Sequence, residues 1–210
     1  MAVMVNEEYV RNLFGSPAYG GVEHGSGNLT WVTPYLHIAA NFKHGSVNGF
    51  VITVVDPTFL LPLEGISLGK LNGRLGRQTF ESTSRNSPDS QSLSIGARRY
   101  GYREVHYFGN PGGYLHYLLA VSDSSPVGRF EPPPDVVAGE WLGGDESDDD
   151  SRAVNYMRKY SRPNTVGIYI DYADEIPSAG LDGDTFRLLP TDTSRWRRLE
   201  RAVARVFRPF

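Results

Sequence analysis

One acidic residue stands inside a run that otherwise has the composition of a buried strand. Glu104 lies in the aromatic-rich segment 100–108, which the turn-forming residues 109–113 and a second apolar run, 114–121, follow at once. An unpaired buried carboxylate is costly, so such a residue must face solvent, find a partner or line a cleft. Glu104 is therefore a solvent-facing residue of a hairpin strand, a carboxylate with a partner in the fold, or the acid of a cleft in which its charge does chemistry.

The composition is that of a folded, turn-rich protein. The chain has 210 residues, of which 40% are hydrophobic and 12% aromatic, and it contains 23 glycines. This length fits one domain, or one domain with an appendage. A formal charge of −3 gives no overall basic footprint for nucleic acid. The absence of cysteine excludes disulfides and thiolate metal or redox chemistry.

The chain carries no recognisable membrane or export signal. No apolar run approaches the roughly 20 residues that a membrane helix needs, and the N-terminal residues lack the basic region and long apolar core of a signal peptide. The sequence therefore predicts a soluble protein, either cytoplasmic or secreted or translocated as an effector. The histidines have no metal-ligand spacing, so no metal site is predicted. The abrupt N-terminal start leaves open a missing upstream segment.

Hydrophobic patterns predict short helices and strands in residues 1–125. Asn6 is expected to cap a helix over 7–16. Pro34 stands at the first position of a second predicted helix, 34–42. The predicted strands are 29–33, 49–55, 102–108 and 114–121. Residues 65–97, which are rich in glycine, serine, arginine and asparagine, are expected to form a long, mobile loop region.

The rest of the chain is predicted to be a linker and an appendage. Residues 126–150 are Pro-rich and acidic, which is typical of a solvated linker. In the appendage, 151–210, we expect a helix over 151–160 and a strand over 165–172. The last predicted helix, 195–207, has one apolar side, and arginines lie at 195, 197, 198, 201, 205 and 208. Either it docks by its apolar side, or its arginines meet an acidic partner, an anionic membrane or nucleic acid.

The order of the parts before residue 121 resembles that of a known enzyme family, the mono-ADP-ribosyltransferases of the enterotoxin and pertussis-toxin type. In that family a Ser/Thr strand leads into a helix with an alanine six residues later, and Thr33 and Ala39 have that spacing here. The segment 49–55 looks like the next family strand.

The second half of the resemblance is the strand that carries the catalytic glutamate. Glu104-Val105 and the glycine pair Gly112-Gly113 match the family pattern of glutamate, apolar residue and Gly-Gly turn. Over residues 27–121 the resemblance implies an α+β protein with an ADP-ribosyltransferase-like mixed or antiparallel β core and short flanking helices.

The resemblance also implies a reaction, the cleavage of the nicotinamide–ribose bond of NAD, with NAD as substrate. Glu104 would be the catalytic carboxylate that opposes positive charge developing on the ribose. Tyr102 would face the acceptor, an unknown protein or nucleic acid. The residues implied to bind NAD are Thr33, Arg11 and Tyr35. The triplet His24-Gly25-Ser26 resembles the nicotinamide-binding histidine of the poly-ADP-ribose branch of the superfamily, which adds His24 as an implied NAD contact.

Departures from the family pattern leave three interpretations open. Trp31 and Val32 stand where the family has its first two Ser/Thr residues, and Tyr102 stands where it has glutamate or glutamine. The first interpretation is an NAD-dependent mono-ADP-ribosyltransferase, or an NAD-cleaving toxin or effector domain. The second is a catalytically inactive protein of that fold that binds a partner. The third is an unrelated α+β binding protein in which Glu104 is incidental.

Overall fold

Eight strands form one antiparallel sheet in the part of the chain that the structure describes. The structure is a computed structural model, and it describes residues 3–95, 100–110, 113–122, 125–134 and 149–170. The strands are β1 (Tyr19–Glu23), β2 (Ser26–Val32), β3 (Leu36–Lys43), β4 (Ser46–Val54), β5 (Ser90–Ile95), β6 (Tyr100–Tyr107), β7 (His116–Ser122) and β8 (Thr165–Tyr169). The helices in these ranges are α1 (Glu7–Phe14), α2 (Phe80–Thr83) and α3 (Asp149–Tyr160).

The sheet joins two antiparallel meanders through its last strand. The strand order is β1-β2-β3-β4-β8-β7-β6-β5. Val166 of β8 lies opposite Ile52 of β4 on one side and opposite Leu119 of β7 on the other. Residues 165–169, which the sequence assigned to the appendage 151–210, thus lie in the middle of the same sheet as β1 to β7.

The α+β fold class predicted from the sequence is wrong, because the described part of the chain is built on one eight-stranded antiparallel sheet with only three helices, which is closer to an all-β protein. The clearest local error is the helix predicted over 34–42, most of which is strand β3. Leu36, Ile38 and Ala40 are buried on one face of the sheet, a two-residue repeat that suits pairing with both β2 and β4. Pro34 and the two alanines suggested a helix, but local helix propensity is a weak prior and sheet pairing overrides it here.

Most other local predictions are confirmed. Helix α1 begins after Asn6, whose side chain accepts a hydrogen bond from the Tyr9 amide at 2.8 Å. The predicted strands at 29–33, 49–55, 102–108, 114–121 and 165–172 correspond to β2, β4, β6, β7 and β8, and the helix at 151–160 corresponds to α3. The predicted loop region 65–97 contains helix α2 and strand β5 as well as irregular segments.

Large apolar side chains fill one face of the sheet, called the core face below. Phe50 of β4 and Leu119 of β7 belong to this buried cluster. All three described helices contribute to the same cluster, through Val10 of α1, Phe80 of α2 and Met157 of α3. The segment between β4 and α2 adds a group of leucines, Leu61, Leu63, Leu71 and Leu75. The described helices and this segment therefore cover the core face.

The opposite face, called the second face below, carries a smaller apolar cluster. It consists of strand residues, Val51, Val105, Leu118, Ala120 and Tyr169. Side chains alternate between the two faces along each strand, so Val105 on β6 points away from its neighbour Glu104. Polar and charged residues of β6 are thereby divided between the two faces.

Two sequence predictions fall wholly or partly outside the described residues. The C-terminal helix predicted at 195–207 lies outside them, as do residues 135–148 of the predicted linker. Within the described ranges, none of the helices is both long enough and apolar enough to cross a bilayer.

Candidate functional site

Glu104 lies on the core face of β6 and is closed off from solvent. It is 0% exposed. The Tyr102 hydroxyl donates a hydrogen bond to Oε1 at 2.7 Å, and Oε2 lies 3.0 Å from Nε2 of His106. Arg158 of α3 donates from Nη1 to Oε2 at 2.7 Å. Both carboxylate oxygens therefore have protein partners, and a guanidinium opposes the negative charge.

Arg158 connects this carboxylate to two further parts of the chain. Its Nη2 atom donates to the carbonyl oxygen of Ser84 at 2.7 Å and to that of Asn86 at 3.0 Å. The Ser84 hydroxyl also lies 3.4 Å from Nδ1 of His106. Helix α3, the segment after α2 and strand β6 are thus joined in one hydrogen-bonded group. We call this group the Glu104 network: Ser84, Asn86, Tyr102, Glu104, His106 and Arg158.

The two-residue repeat of β6 explains why three polar side chains meet on the core face. Tyr102, Glu104 and His106 occupy alternate positions, and their partners across the strand pair are Val121, Leu119 and Tyr117 of β7. The ring of Phe80 meets that of Tyr102 edge-on, with centroids 5.0 Å apart. The network is therefore surrounded by apolar and aromatic groups, where a charge is strongly disfavoured unless it is paired.

The electrostatics of Tyr102 fit a donor role. Burial raises the pKa of its hydroxyl, and the charge of Glu104 and the hydrogen bond to it raise that pKa further, while Arg158 acts in the opposite direction. Tyr102 therefore stays protonated and can donate to the carboxylate at neutral pH. It is 1% exposed, so the residue that the resemblance assigned to the acceptor lies in the interior.

Thr33 and Tyr35 shape the turn between β2 and β3. The Thr33 hydroxyl oxygen accepts from the amides of Tyr35 at 3.1 Å and Leu36 at 2.7 Å. The Tyr35 ring packs near that of Phe59, with centroids 6.1 Å apart. Four strands separate β2 from β6, which is about 24 Å along the sheet at about 4.8 Å per step. Thr33 and Tyr35 thus belong to a different part of the sheet from Glu104.

His24 occupies a tight hairpin turn between β1 and β2. Its φ is 51° and that of Gly25 is 79°, as two-residue turns of type I′ require. His44 and Gly45, between β3 and β4, repeat this geometry with φ values of 53° and 77°. The two turns touch, because the Gly45 amide donates to the Gly25 carbonyl at 2.7 Å. The His-Gly-Ser triplet implied as an NAD contact therefore has a complete explanation as a hairpin turn.

Arg11 is held on the surface of α1. Its Nε atom donates to Glu7 Oε1 at 2.7 Å, one helical turn away. The residue borders an open depression of about 510 Å³ that Asn6, Glu7, Glu8, Asn12 and Gly45 also line. Two carboxylates beside the single guanidinium oppose an anionic ligand such as the phosphates of NAD. The residue that precedes α1, Asn6, pairs with Ser46 at the start of β4, and strands β8 and β7 lie between β4 and the strand of Glu104.

Sequence reasoning missed the partners of Glu104. Arg158 is 54 residues away in the chain, and nothing in its local pattern distinguishes it from an ordinary helix arginine. His106 had a detectable signal, because it follows Tyr102 and Glu104 at two-residue steps and so had to share their face. A buried carboxylate also requires a cation or donors somewhere in the fold. The repeated His-Gly-Ser triplet at 24–26 and 44–46 was a signal for two hairpin turns.

A second candidate site lies where a loop meets the turn between β6 and β7. Leu68 is 62% exposed and Tyr114 is 61% exposed. A Cβ atom placed on Gly113 would lie 3.4 Å from Cδ1 of Leu68, so the leucine side chain lies against the residue that precedes Tyr114. Leu68 and Tyr114 both have positive φ, 54° and 56°, which is uncommon for non-glycine residues. We call Leu68, Gly113 and Tyr114 the apolar tip.

The apolar tip is uncharged and anchored to the core. Residues 65–69 and 113–115 contain no charged side chain. Leu115, next to Tyr114, and Phe108, at the end of β6, pack partly buried against the core cluster. A contiguous exposed apolar patch is typical of an interaction site, and Leu68 and Tyr114, on either side of Gly113, are the candidates for one here.

Comparison with known proteins leaves the family of this chain open. No protein-family model matches the sequence, and no curated protein matches it. Among solved structures, the chain has 14% identity to a proposed beta-lactamase inhibitor protein from Streptococcus mutans, covering 57% of this chain and 76% of that chain. The TM-score is 0.23, which is too low to indicate a shared fold, so we draw no conclusion from this likeness.

Proposed function

We propose that this protein acts by binding another protein through the apolar tip, and that Glu104 serves stability rather than catalysis. The observation that carries the proposal is the joint exposure of Leu68 and Tyr114, 62% and 61%. Fully burying a leucine-sized side chain contributes about 1.5–3 kcal/mol, and aromatic anchors are enriched among the residues that dominate binding energy. Leu68 and Tyr114 are therefore candidate anchors for the centre of an interface.

The chemistry of the apolar tip favours a particular partner. Residues 65–69 and 113–115 are uncharged, and the first range is flanked by Glu64 and Lys70, so the apolar tip offers no cluster of cations for the phosphates of nucleic acid or of an anionic membrane. An apolar pocket on a protein surface is the complement that fits a leucine and a tyrosine side by side. The acidic partner predicted for the arginine-rich segment 195–208 is a separate hypothesis and stays a prediction.

The surroundings of Glu104 support the non-catalytic part of the proposal. A carboxylate that opposes charge on a ribose must reach that ribose, whereas Glu104 is 0% exposed and both its oxygens are occupied. Withdrawing it from Arg158 would leave a buried guanidinium without its counter-charge, at a cost of about 3–5 kcal/mol. The ADP-ribosyltransferase activity that the resemblance implies remains a prediction, and this geometry does not favour it.

Labelled NAD tests the catalytic alternative. Purified protein at high concentration is incubated with NAD that carries label in the nicotinamide, and free nicotinamide is followed over hours. We expect no release above the buffer rate. Release by the wild type that a folded Glu104→Gln variant lacks would overturn the proposal.

Site-specific crosslinking tests the apolar tip. A photo-crosslinking amino acid is placed at Tyr114, and at Tyr160 of α3 as a matched control, since Tyr160 is also exposed, at 44%. In cells that naturally make the protein, we expect a discrete adduct from position 114 and none from 160. Leu68→Ser should lower the yield of the adduct at least several-fold. Identical adducts at both positions, or none at 114, would contradict a docking role for the tip.

A further inference from the structure

Two exposed histidines occupy the same position in two hairpin turns that touch. His24 lies in the turn between β1 and β2, and His44 lies in the turn between β3 and β4. Both residues are exposed to solvent. They are too far apart in the sequence for their spacing to indicate a shared site, and the fold brings them together. We call His24 and His44 the turn histidines.

Backbone contacts between the two turns set how far apart the turn histidines lie. The Gly45 amide donates to the Gly25 carbonyl at 2.7 Å, and a Cβ atom on Gly25 would lie 3.2 Å from the carbonyl carbon of His44. Two carbon–carbon bonds and one step of about 3.8 Å between consecutive Cα atoms add to that contact, so the Cα atoms of the two histidines are at most about 10 Å apart. Both turns lie at the same end of the sheet and have the same signs of φ. The Cα–Cβ bonds of the two histidines therefore point in similar directions.

The turn conformation does not itself require imidazoles. A type I′ turn needs positive φ at both central positions, and asparagine, aspartate or glycine most often occupies the first of them. Histidine also tolerates this conformation, but here it stands at the equivalent position of both touching turns. Imidazole is the commonest metal-binding side chain and suits zinc, copper and nickel. Two such groups on neighbouring rigid turns are a candidate metal site.

The charges near the turn histidines favour a cation. The charged side chains that border the depression beside Gly45 or directly precede a turn histidine are three acids and two bases, Glu7, Glu8, Glu23, Arg11 and Lys43. Arg11 is already paired with Glu7. Acidic groups therefore outnumber basic ones here, and a positive ion is attracted rather than repelled.

We propose that the turn histidines bind one divalent transition-metal ion between them, through one nitrogen of each imidazole. Metal–nitrogen bonds of about 2.0–2.1 Å at both ends allow the two rings to meet at one ion across this gap. In the described part of the chain, no group of three or more histidines and carboxylates could hold a metal, so water fills the other coordination positions.

The ligand chemistry also sets which ions bind. Among first-row divalent ions Cu²⁺ binds nitrogen ligands most tightly, and Ni²⁺ and Zn²⁺ bind less tightly. Mg²⁺ prefers oxygen ligands and is not expected to bind. A bound ion would connect the β1–β2 hairpin to the β3–β4 hairpin. The site is independent of the apolar tip, which lies at the turn between β6 and β7.

Titration of the full-length protein with Cu²⁺, in a buffer that does not chelate it, tests the pair. We expect one tightly bound ion per chain, with an electron paramagnetic resonance signal of two coordinated nitrogens. His24→Asn and His44→Asn, in which asparagine suits the same turn, should each weaken binding about tenfold or more, because one imidazole no longer helps the other to hold the ion. The double variant should bind little more weakly than either single variant. His37→Gln, which changes a histidine elsewhere in the sheet, is the control and should bind as the wild type does.

Two results would overturn the proposal. The first is wild-type affinity in either asparagine variant. The second is weak binding of two ions per chain in the wild type and of one ion in each single variant, because the two histidines would then act separately.

Zn²⁺ gives a second measurement, of the folded state. An unfolded chain does not hold the two turns together, so an ion bound by both histidines stabilises the folded protein and raises the midpoint of thermal unfolding. We expect Zn²⁺ to raise the midpoint of the wild type, to have little effect on His24→Asn or His44→Asn, and Mg²⁺ to have no effect on any of them. Equal rises in the wild type and the double variant would show that zinc acts elsewhere and would contradict the proposal.

Discussion

Arg158 Nη1 lies 2.7 Å from Glu104 Oε2, and this contact joins helix α3 to strand β6 inside the core. Buried ion pairs are often no more stabilising than well-packed apolar residues of similar size, yet removing only one partner is strongly destabilising. The folded protein therefore needs both side chains. Because Glu104 is buried in the core, Arg158 and α3 must be packed beside it.

The costs of removing Arg158 and of removing the charge of Glu104 should not be additive. We expect Arg158→Met to lower the free energy of unfolding by about 3–5 kcal/mol, because Glu104 keeps a buried charge without a cation. Adding Glu104→Gln to this variant should cost less than the sum of the two single changes, with a coupling above about 1 kcal/mol. Denaturant unfolding of the four proteins gives the coupling. Arg152→Met, at an exposed position of α3, is the control and should be nearly neutral.

The Tyr102 hydroxyl should contribute through its hydrogen bond. Tyr102→Phe removes the donor to Oε1 of Glu104 and keeps the ring that meets Phe80. We expect a loss of about 1–3 kcal/mol, the usual effect of leaving a buried polar atom without its partner. Tyr9→Phe serves as the control, since Tyr9 is 51% exposed. Equal melting temperatures for Tyr102→Phe and wild type would show that the hydroxyl is not needed.

A glycine on the second face should resist substitution. A Cβ at position 49 would overlap the Tyr169 ring, and overpacking of this kind typically costs about 1–3 kcal/mol. We expect Gly49→Ala to lower the midpoint of thermal unfolding measurably. In Gly21→Ala, on edge strand β1, the new Cβ meets nothing within 4 Å. A destabilisation of Gly21→Ala as large as that of Gly49→Ala would contradict the close contact with Tyr169.

One histidine should make stability depend on pH. Burial lowers the pKa of His37 to about 4, whereas an unfolded chain has a histidine pKa near 6.5. The unfolded state therefore takes up the proton first, and stability falls as the pH drops from about 6.5 to about 4. His37→Gln should make this fall in the free energy of unfolding smaller by about 1–2 kcal/mol. This is less than the full difference in pKa would give, because His37 is partly exposed. Parallel pH profiles for variant and wild type would show that His37 does not titrate in this range.

Local chemistry made part of the fold predictable. The cap at Asn6, the apolar run at 49–55 and the alternating segment at 102–108 each depend on neighbouring residues, and all three were predicted correctly. Strand β3 was missed because its alanines and Pro34 favour a helix locally, while its partners β2 and β4 decide the outcome. Pairing information is spread over the whole chain, so no short window contains it.

The candidate site could be predicted only in part, because the partners of Glu104 are distant in the sequence. The isolation of Glu104 in an aromatic strand was visible in the sequence, and it correctly marked a residue under constraint. Whether Glu104 serves stability or catalysis depends on Arg158, 54 residues later, and on the carbonyl groups of Ser84 and Asn86. No side-chain pattern in the sequence reveals these carbonyl groups. A carboxylate that needs a partner and a carboxylate that lines a cleft look alike until the fold is known.

The free energy of unfolding of Glu104→Gln tests the structural role of this residue most directly. A catalytic acid whose charge acts only in a transition state predicts a variant as stable as the wild type. A carboxylate that balances a buried guanidinium predicts a loss of about 3 kcal/mol or more, because the amide keeps the shape of Glu104 but leaves Arg158 without its counter-charge. Denaturant titration of the two purified proteins decides between them. A loss of that size would support our account, and stability within about 0.5 kcal/mol of the wild type would contradict it.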